Sequence, residues 1–449
     1  MSTARFTHDT DGTGAAAWQG LPEWDDAAGL DLVDLDGEPC RRLVVLAAHP
    51  DDESLGAGGL LAIAHGWGIE VRVVLATRGE ASHPRSRTTT PADLAGARLA
   101  ESHTALRAVA PGGTLECLDL PDGDLAEHEE ALVQGLVRAV GDGRGTLLVA
   151  PWRHDGHPDH EAAGRAAAVA ARRCGARLVE YPVWFWHWGA PSGLPWAGVR
   201  LLALGPAAHQ AKAASVRAHR TQVAPLSDLP GDETLLSPGL LAHFERSHET
   251  FLELAAHDTA LDRLHQDADD PWGVDSRWFE ERKRDLVLAC LPARRYAAAW
   301  EAGCSTGALA AALATRCDQL SATDSSASAV AAARRRLEGD PAVRVQHRDL
   351  VDPWPADTFD LVVASEVGYF LSPRDLERFA VGVEDALRPD GVLVVCHWRH
   401  EIVGWPLDGP DVHRLLAGRP GWSEQARYAD ADVEILVLAR RDVMPRSDT

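Results

Sequence analysis

Lysine is nearly missing from this sequence: of 44 basic residues only Lys212 and Lys283 are lysines, so arginine carries almost all the positive charge. Base is also outnumbered by acid, 44 to 67, and the formal net charge is −23. Such a field repels nucleic-acid phosphates and anionic lipid wherever no local basic patch overrides it. No apolar run approaches the roughly 18 residues of a membrane span. The opening stretch, MSTARFTHDTDGTGAAAWQG, lacks the basic start and apolar core of a secretory signal. Cysteine is scarce and scattered: seven residues, an odd number with no CxxC pair, indicate neither a disulfide framework nor a thiolate zinc site. The expected setting is the cytoplasm, with neither nucleic acid nor membrane as a partner and nothing that points to an oligomeric state.

What is present is enough apolar material for folded cores. The chain has 449 residues, 45% hydrophobic and 25% charged, which predicts two or three globular units. Short apolar runs at Leu43–Ala48, Val71–Ala76, Leu115–Leu118 and Thr146–Ala150 read as buried parallel strands, and helical spacing fills the intervals over Ser54–Trp67, Ala92–Val109 and Glu127–Val140. An aspartate-rich polar stretch, Leu261–Asp275, breaks the pattern. A second series follows, with strands expected at Ala297–Ala302, Leu320–Thr323, Val343–His347, Leu361–Ala364 and Val392–Cys396. The expected fold is α/β, two doubly wound Rossmann-like domains in tandem over residues 1–262, including a polar leader at 1–40, and 263–449.

His49, Pro50, Asp51, Asp52 and Glu53 stand directly after the first strand, at the sheet edge where α/β folds bind ligands. A second cluster, Trp152 to His160, follows the fourth strand and includes His154, Asp155, His157, Asp159 and His160. Two imidazoles and one carboxylate suffice for a catalytic zinc with an open position for water, and a spare aspartate beside it can take that water's proton. The same ligand count describes non-haem iron oxygenases, which need neither a base nor an oxyanion donor.

These residues resemble the signatures of the PIG-L-like (LmbE-like) de-N-acetylases, AHPDDE at Ala48–Glu53 and HPDH at His157–His160. The resemblance implies His49, Asp52 and His160 as zinc ligands, Asp51 as the base and His157 as the oxyanion partner. It extends through Arg78-Gly79-Glu80, Arg98, Glu101 and Lys212–Gln222, spanning roughly residues 40 to 255. It implies hydrolysis of an acetamide on a sugar-like amine, a small-molecule N-acetylated substrate. Arg78 either binds substrate oxygens or pairs with Glu80 or Asp119, and Glu53 is read as capping or orienting the following helix. Trp184 and Trp186, in a segment with four tryptophans, either wall the site or fill the seam between sheet and helices.

In the second series, Glu301-Ala-Gly303-Cys-Ser-Thr-Gly307 lies between a predicted strand and an alanine-rich helix, and Asp324 ends the next strand 17 residues on. Glycines there let backbone approach a ligand, and a carboxylate so placed can bind ribose hydroxyls. The order resembles class I S-adenosylmethionine methyltransferases, with wording similar to the nodulation-type N-methyltransferases over roughly residues 268 to 440. By that resemblance Glu301, Gly303 and Gly307 border the methionine moiety, Asp324 the ribose, Asp349 and Leu350 the adenine. Ser365 and Glu366 would face the acceptor, and Glu366 or His397 is the candidate proton acceptor. An NAD site is the weaker reading, since GxGxxG is absent.

Zinc and S-adenosylmethionine are therefore the expected cofactors of a bifunctional enzyme that deacetylates a small molecule and then methylates it, with the freed amine as a candidate acceptor. A zinc amidase of thiol conjugates with a separate methyltransferase, and a non-catalytic metal- and S-adenosylmethionine-binding module, are the alternatives.

Overall fold

The computed structural model describes residues 12–255, 258–268, 270–351, 354 and 357–441. The first eleven residues of the expected leader lie outside that range. The chain divides into two compact units, Met1–His257 and Asp258–Thr449.

The first unit is built on an eight-stranded sheet: β1 (Ala28–Gly29), β2 (Arg42–Ala47), β3 (Glu70–Leu75), β4 (Thr114–Cys117), β5 (Thr146–Pro151), β6 (Arg177–Tyr181), β7 (Val199–Ala203) and β8 (His248–Leu252), in the order β1-β7-β8-β6-β5-β2-β3-β4. Its longer helices are α1 (Asp52–Gly66), α2 (Pro91–Val109), α3 (Glu129–Val140), α4 (Pro158–Cys174) and α5 (Pro206–Ala218). The LVVLAA run is uninterrupted because both faces are covered. Leu43, Val45 and Ala47 enter one core cluster, Val44, Leu46 and Ala48 the other. β2 pairs in parallel with β5, Val45 opposite Val149, so the loops leaving their carboxyl ends stand side by side. The sheet is not wholly parallel: β8 runs antiparallel to both β6 and β7.

Described residues of the expected leader pack against the loop after β6. Thr13 N–H donates to His187 O at 2.7 Å and its hydroxyl to Gly189 O at 2.7 Å. Trp18, only 1% exposed, donates its indole N–H to Trp186 O at 3.0 Å.

The second unit holds α6 (Ala260–Asp267), α7 (Trp278–Cys290), α8 (Ala308–Ala314), α9 (Ala327–Arg336), α10 (Pro373–Ala386) and α11 (Gly409–Ala417). Its strands are β9 (Ala299–Ala302), β10 (Leu320–Asp324), β11 (Val343–His347), β12 (Phe359–Ser365), β13 (Leu387–Trp398), β14 (Trp422–Ala429) and β15 (Val433–Arg440), ordered β11-β10-β9-β12-β13-β15-β14. The chain reverses its direction of travel across the sheet between β9 and β12, the switch point at which open α/β sheets bind ligands. β15 is antiparallel to both neighbours and lies between β13 and the edge strand β14. Part of the aspartate-rich stretch is helical in α6, whose Asp262 accepts a hydrogen bond from Ser326 Oγ at 2.7 Å.

Candidate metal centre and cofactor pocket

His49 and Asp52 leave the end of β2, and His160 comes from the first turn of α4. One ligand atom from each lies within 4.8 Å of the others, and all three residues are buried. His160 Nε2 is buried with no hydrogen-bond partner, 3.3 Å from Asp52 Oδ1. The other ring nitrogen of each histidine meets a carboxylate: His160 Nδ1 is 2.8 Å from Asp155, and His49 Nε2 is 3.1 Å from both Asp122 and Asp159. That leaves His49 Nδ1, 3.6 Å from Asp52, and His160 Nε2 facing the same carboxylate. Acid-backed imidazoles turned toward one anionic group suit a divalent cation. Without one, burial works against charge on both rings. Asp122, Asp159 and Asp52 nevertheless hold His49 well above its ordinary range, and Asp52 and Asp155 lift His160 to about 9.

A second set, His49, His157 and Asp159, is equally close. Asp159, however, is already engaged by Gly123 N–H at 2.8 Å and Leu125 N–H at 3.2 Å. His157 caps α4, its Nδ1 accepting from Asp159 N–H at 3.2 Å, so the proton of the neutral ring sits on Nε2. Its ring centroid is 4.9 Å from that of His49 and 4.8 Å from that of His160.

Asp51 has φ 120°, a region costly for a residue with a Cβ. Two partners hold it. Glu53 accepts its N–H at 3.1 Å, and buried Arg98 donates to Pro50 O at 2.5 Å and to Asp51 Oδ2 at 3.3 Å. Arg98 also donates to Gly79 O at 2.8 Å, and a Cβ at Gly79 would lie 2.1 Å from its guanidinium. Burial, opposed by Arg98, raises the Asp51 carboxyl to about 6.

Glu53, besides accepting from Asp51, lies 3.4 Å from His219 and accepts from Ser54. Arg78 forms a two-pronged pair with Asp119 at 2.6 and 2.8 Å on the surface. Trp184 lies nearly parallel to His157, ring centroids 6.4 Å apart. Trp186 is not beside it: the ring is buried, packed on Trp18 at 4.9 Å and under Arg246 at 4.3 Å. Asp122 and Asp155 had no role in the sequence reading. Their signal was position, Asp122 following β4 and Asp155 following β5 at the same edge. Asp155 also accepts from Val183, Trp184 and Phe185 N–H, so one carboxylate ties a ligand histidine to the tryptophan loop.

In the second unit a cavity opens at the switch point, lined by Glu301, Gly303, Ser305, Thr306, Asp324, Leu350 and Glu366, among others. Four buried polar atoms of these residues make no hydrogen bond: Glu301 Oε2, Ser305 Oγ, Thr306 Oγ1 and Glu366 Oε1, the last of them facing Lys283. Such groups gathered around one cavity suit a polar ligand such as S-adenosylmethionine. Gly303 has φ +76°, and a Cβ there would lie 2.7 Å from Val367. Asp324 accepts from Ser305 N–H at 2.8 Å and Ser326 N–H at 2.9 Å. Gly307 caps α8 against Ala333, and Asp349 accepts from Val351 N–H. Neither of these two lines the cavity.

Across the cavity Glu366 has φ +58° and donates its N–H to Cys396 O at 2.8 Å. Its carboxylate accepts from Tyr369 OH and lies 3.6 Å from Lys283 Nζ, itself 2.8 Å from Glu280. Burial raises Glu366 against the pull of Lys283. His397 is fully buried and faces Gly368 and His413.

The geometry sets out two α/β units, one with a candidate metal centre at its sheet edge and one with a cavity at its switch point suited to S-adenosylmethionine. Residues 44–171 match the GlcNAc-PI de-N-acetylase (PIG-L) family and residues 255–406 the nodulation protein S (NodS) family. Nodulation protein S of Rhizobium tropici is 31% identical over 180 residues, covering 40% of this chain and 69% of that protein. The 1D-myo-inositol 2-acetamido-2-deoxy-alpha-D-glucopyranoside deacetylase of Mycobacterium sp. (strain JLS) is 31% identical over 191 residues, 37% of this chain and 61% of that enzyme. The structure of N-methyltransferase NodS from Bradyrhizobium japonicum WM9 with S-adenosyl-l-homocysteine is 23% identical, covering 41% of this chain and all of that one, with a TM-score of 0.38. The chain belongs to the NodS family through its second unit and carries a PIG-L deacetylase domain in its first. No helix among the described residues is long and apolar enough to cross a membrane.

Proposed function

We propose that this chain is a bifunctional enzyme that hydrolyses the N-acetyl group of a sugar-like small molecule and then methylates the amine so freed. The observation that carries the reading is the trio His49, Asp52 and His160, gathered within 4.8 Å with both imidazoles backed by carboxylates. Zinc bound by these three supplies Lewis acidity toward the amide carbonyl and toward water. Asp51, held by Arg98 and Glu53, takes the proton of the attacking water. His157, with its proton on Nε2, donates to the developing oxyanion. The C–N bond breaks and the proton held by Asp51 passes to the leaving nitrogen, giving acetate and an amine.

S-adenosylmethionine, when bound, supplies the methyl group as an electrophilic sulfonium. Glu301 and the backbone at Gly303 hold its amino-acid end, Asp324 its ribose and Leu350 its adenine. Glu366 takes the proton of the acceptor nitrogen as the N–CH3 bond forms. Alignment in the cavity supplies most of the remaining acceleration. A cytoplasmic setting belongs to the same proposal and is supported by seven unpaired cysteines.

Mass spectrometry tests the order: the full chain with zinc and N-acetylglucosaminyl compounds should yield the amine, and adding S-adenosylmethionine should yield its N-methyl product. Methylation of the acetylated compound but never of the amine would reject it.

A further inference from the structure

The turn carrying Glu366 is held from behind by two buried imidazoles. Gly368 N–H lies 3.0 Å from His397 Nε2. A backbone N–H can only donate, so that nitrogen carries a lone pair and the proton of the neutral ring is on Nδ1. His397 Nδ1 is 3.0 Å from His413 Nε2, which must then accept, and this places the proton of His413 on Nδ1 as well. His413 Nδ1 faces Glu434 at 3.6 Å, a carboxylate also engaged by Arg427. Both hydrogen bonds run in one direction, each proton opposite a lone pair, and His413 Nδ1 at the end of the chain makes no hydrogen bond, with Glu434 too far to accept one. The other tautomer of His397 would set N–H against N–H at Gly368. Both rings are 1% exposed or less. Burial keeps both in the neutral form, helped by His413 at His397 and by Arg427 at His413, which is lowered to about 4.

What the pair holds is the wall of the cofactor cavity. Gly368 fits because it lacks a Cβ, which would lie 2.6 Å from Val412 and 3.0 Å from His397 Nε2. Its neighbour Val367 fills the space above Gly303. Glu366, on the other side of Val367, keeps an unfavourable φ that persists only when its surroundings fix it. No lone pair of His397 faces the cavity, and the ring is not among the cavity's lining.

We propose that His397 and His413 form a neutral, one-directional relay of two Nδ1-protonated imidazoles, a positioning device that seats the Glu366–Phe370 turn on the glycine loop of the cofactor pocket. His397 is then a positioning residue, and the proton-acceptor role falls to Glu366 alone. The inference rests on the methyltransferase reading only for the identity of the ligand.

The test pairs a spectroscopic signature with two variants of the full chain. In the 15N spectra of histidine-labelled protein at about pH 7, the signals lost in His397→Gln and His413→Gln should report Nδ1–H tautomers. In His397→Gln the amide oxygen replaces Nε2 and keeps an acceptor for Gly368, so S-adenosylhomocysteine affinity measured by calorimetry should stay within about three-fold of the parent. In His397→Asn the amide stands in for Nδ1 and Gly368 N–H loses its acceptor, so affinity should fall about ten-fold or more. An Nε2–H tautomer or a charged ring at either position overturns the relay, as do equal losses in the two variants. If the parent binds no S-adenosylhomocysteine, the methyltransferase reading fails, and the 15N tautomers still decide the relay.

Discussion

Arg98 and Asp51 meet as a clamp: one guanidinium nitrogen reaches the carboxylate at 3.3 Å and the preceding carbonyl, that of Pro50, at 2.5 Å. The side chain that fixes the acid thus also fixes the backbone that aims it. Arg98→Met removes both contacts and the one to Gly79. A loss of about 3 kcal/mol is expected from the acceptors left buried without a donor, seen as a Tm lower by roughly 10 °C. Deacetylation kcat should fall at least about ten-fold, while zinc content by elemental analysis stays unchanged because Arg98 touches no ligand atom. An unaltered kcat would remove the clamp from the mechanism.

Asp155 backs His160 and receives three loop N–H groups. Asp155→Asn should weaken zinc binding by about ten- to a hundred-fold in a competitive chelator titration. His160→Ala, which removes a ligand, should abolish stoichiometric zinc altogether. Equal zinc affinity in Asp155→Asn and the parent would show that the carboxylate orients nothing.

Gly303→Ala meets two obstacles at once, the positive φ and Val367 at 2.7 Å. The turn or the loop must shift, at a cost of about 1–3 kcal/mol, and S-adenosylhomocysteine affinity should fall about ten-fold or more. Gly339→Ala is the control: it shares a positive φ of 89° and meets nothing within 4 Å. Calorimetry on both separates a cavity effect from strain alone, and similar affinities would contradict the packing argument.

Glu301 sets a pH dependence in the absence of cofactor. Burial, and then Asp324, raises its pKa well above 4.5. The native acid stays protonated while the unfolded chain ionises, so the stability it contributes is complete below about 4.5 and declines as pH rises toward the folded value. Glu301→Gln removes that decline. Thermal melts should show the variant several degrees above the parent at about pH 7 and level with it near about pH 4. A variant less stable at both values would exclude the protonated acid.

Much of this was legible in the sequence because the chemistry sits where strand ends are easiest to read. LVVLAA alternates between two covered faces and HPDDE follows at once, so strand, edge and two of the three ligands are marked by eleven consecutive residues. Nine strands were placed within a few residues of where they lie. β1, β7, β8, β14 and β15 escaped and β6 was given no bounds: Ala28–Gly29 is two residues long, Val199–Ala203 and His248–Leu252 are short and flanked by irregular chain, and in Trp422–Ala429 the alternation is blurred by exposed Glu424, Gln425 and Arg427. Asp122 and Asp155 were missed because a supporting acid carries no spacing rule, only proximity after folding. Trp186 shows the converse. Its neighbours Trp184 and Trp188 are the same residue type, yet contact with Trp18, 168 residues earlier, decides that it is buried.

That last contact has a practical side. Anyone shortening the chain to its first long strand, at Arg42, would also discard Thr13 and Trp18, whose hydrogen bonds grip the loop opposite. The fragment would keep every metal ligand and still lose the brace behind the aromatic face beside them, so weak turnover in such a truncation would indict the trimming before the chemistry.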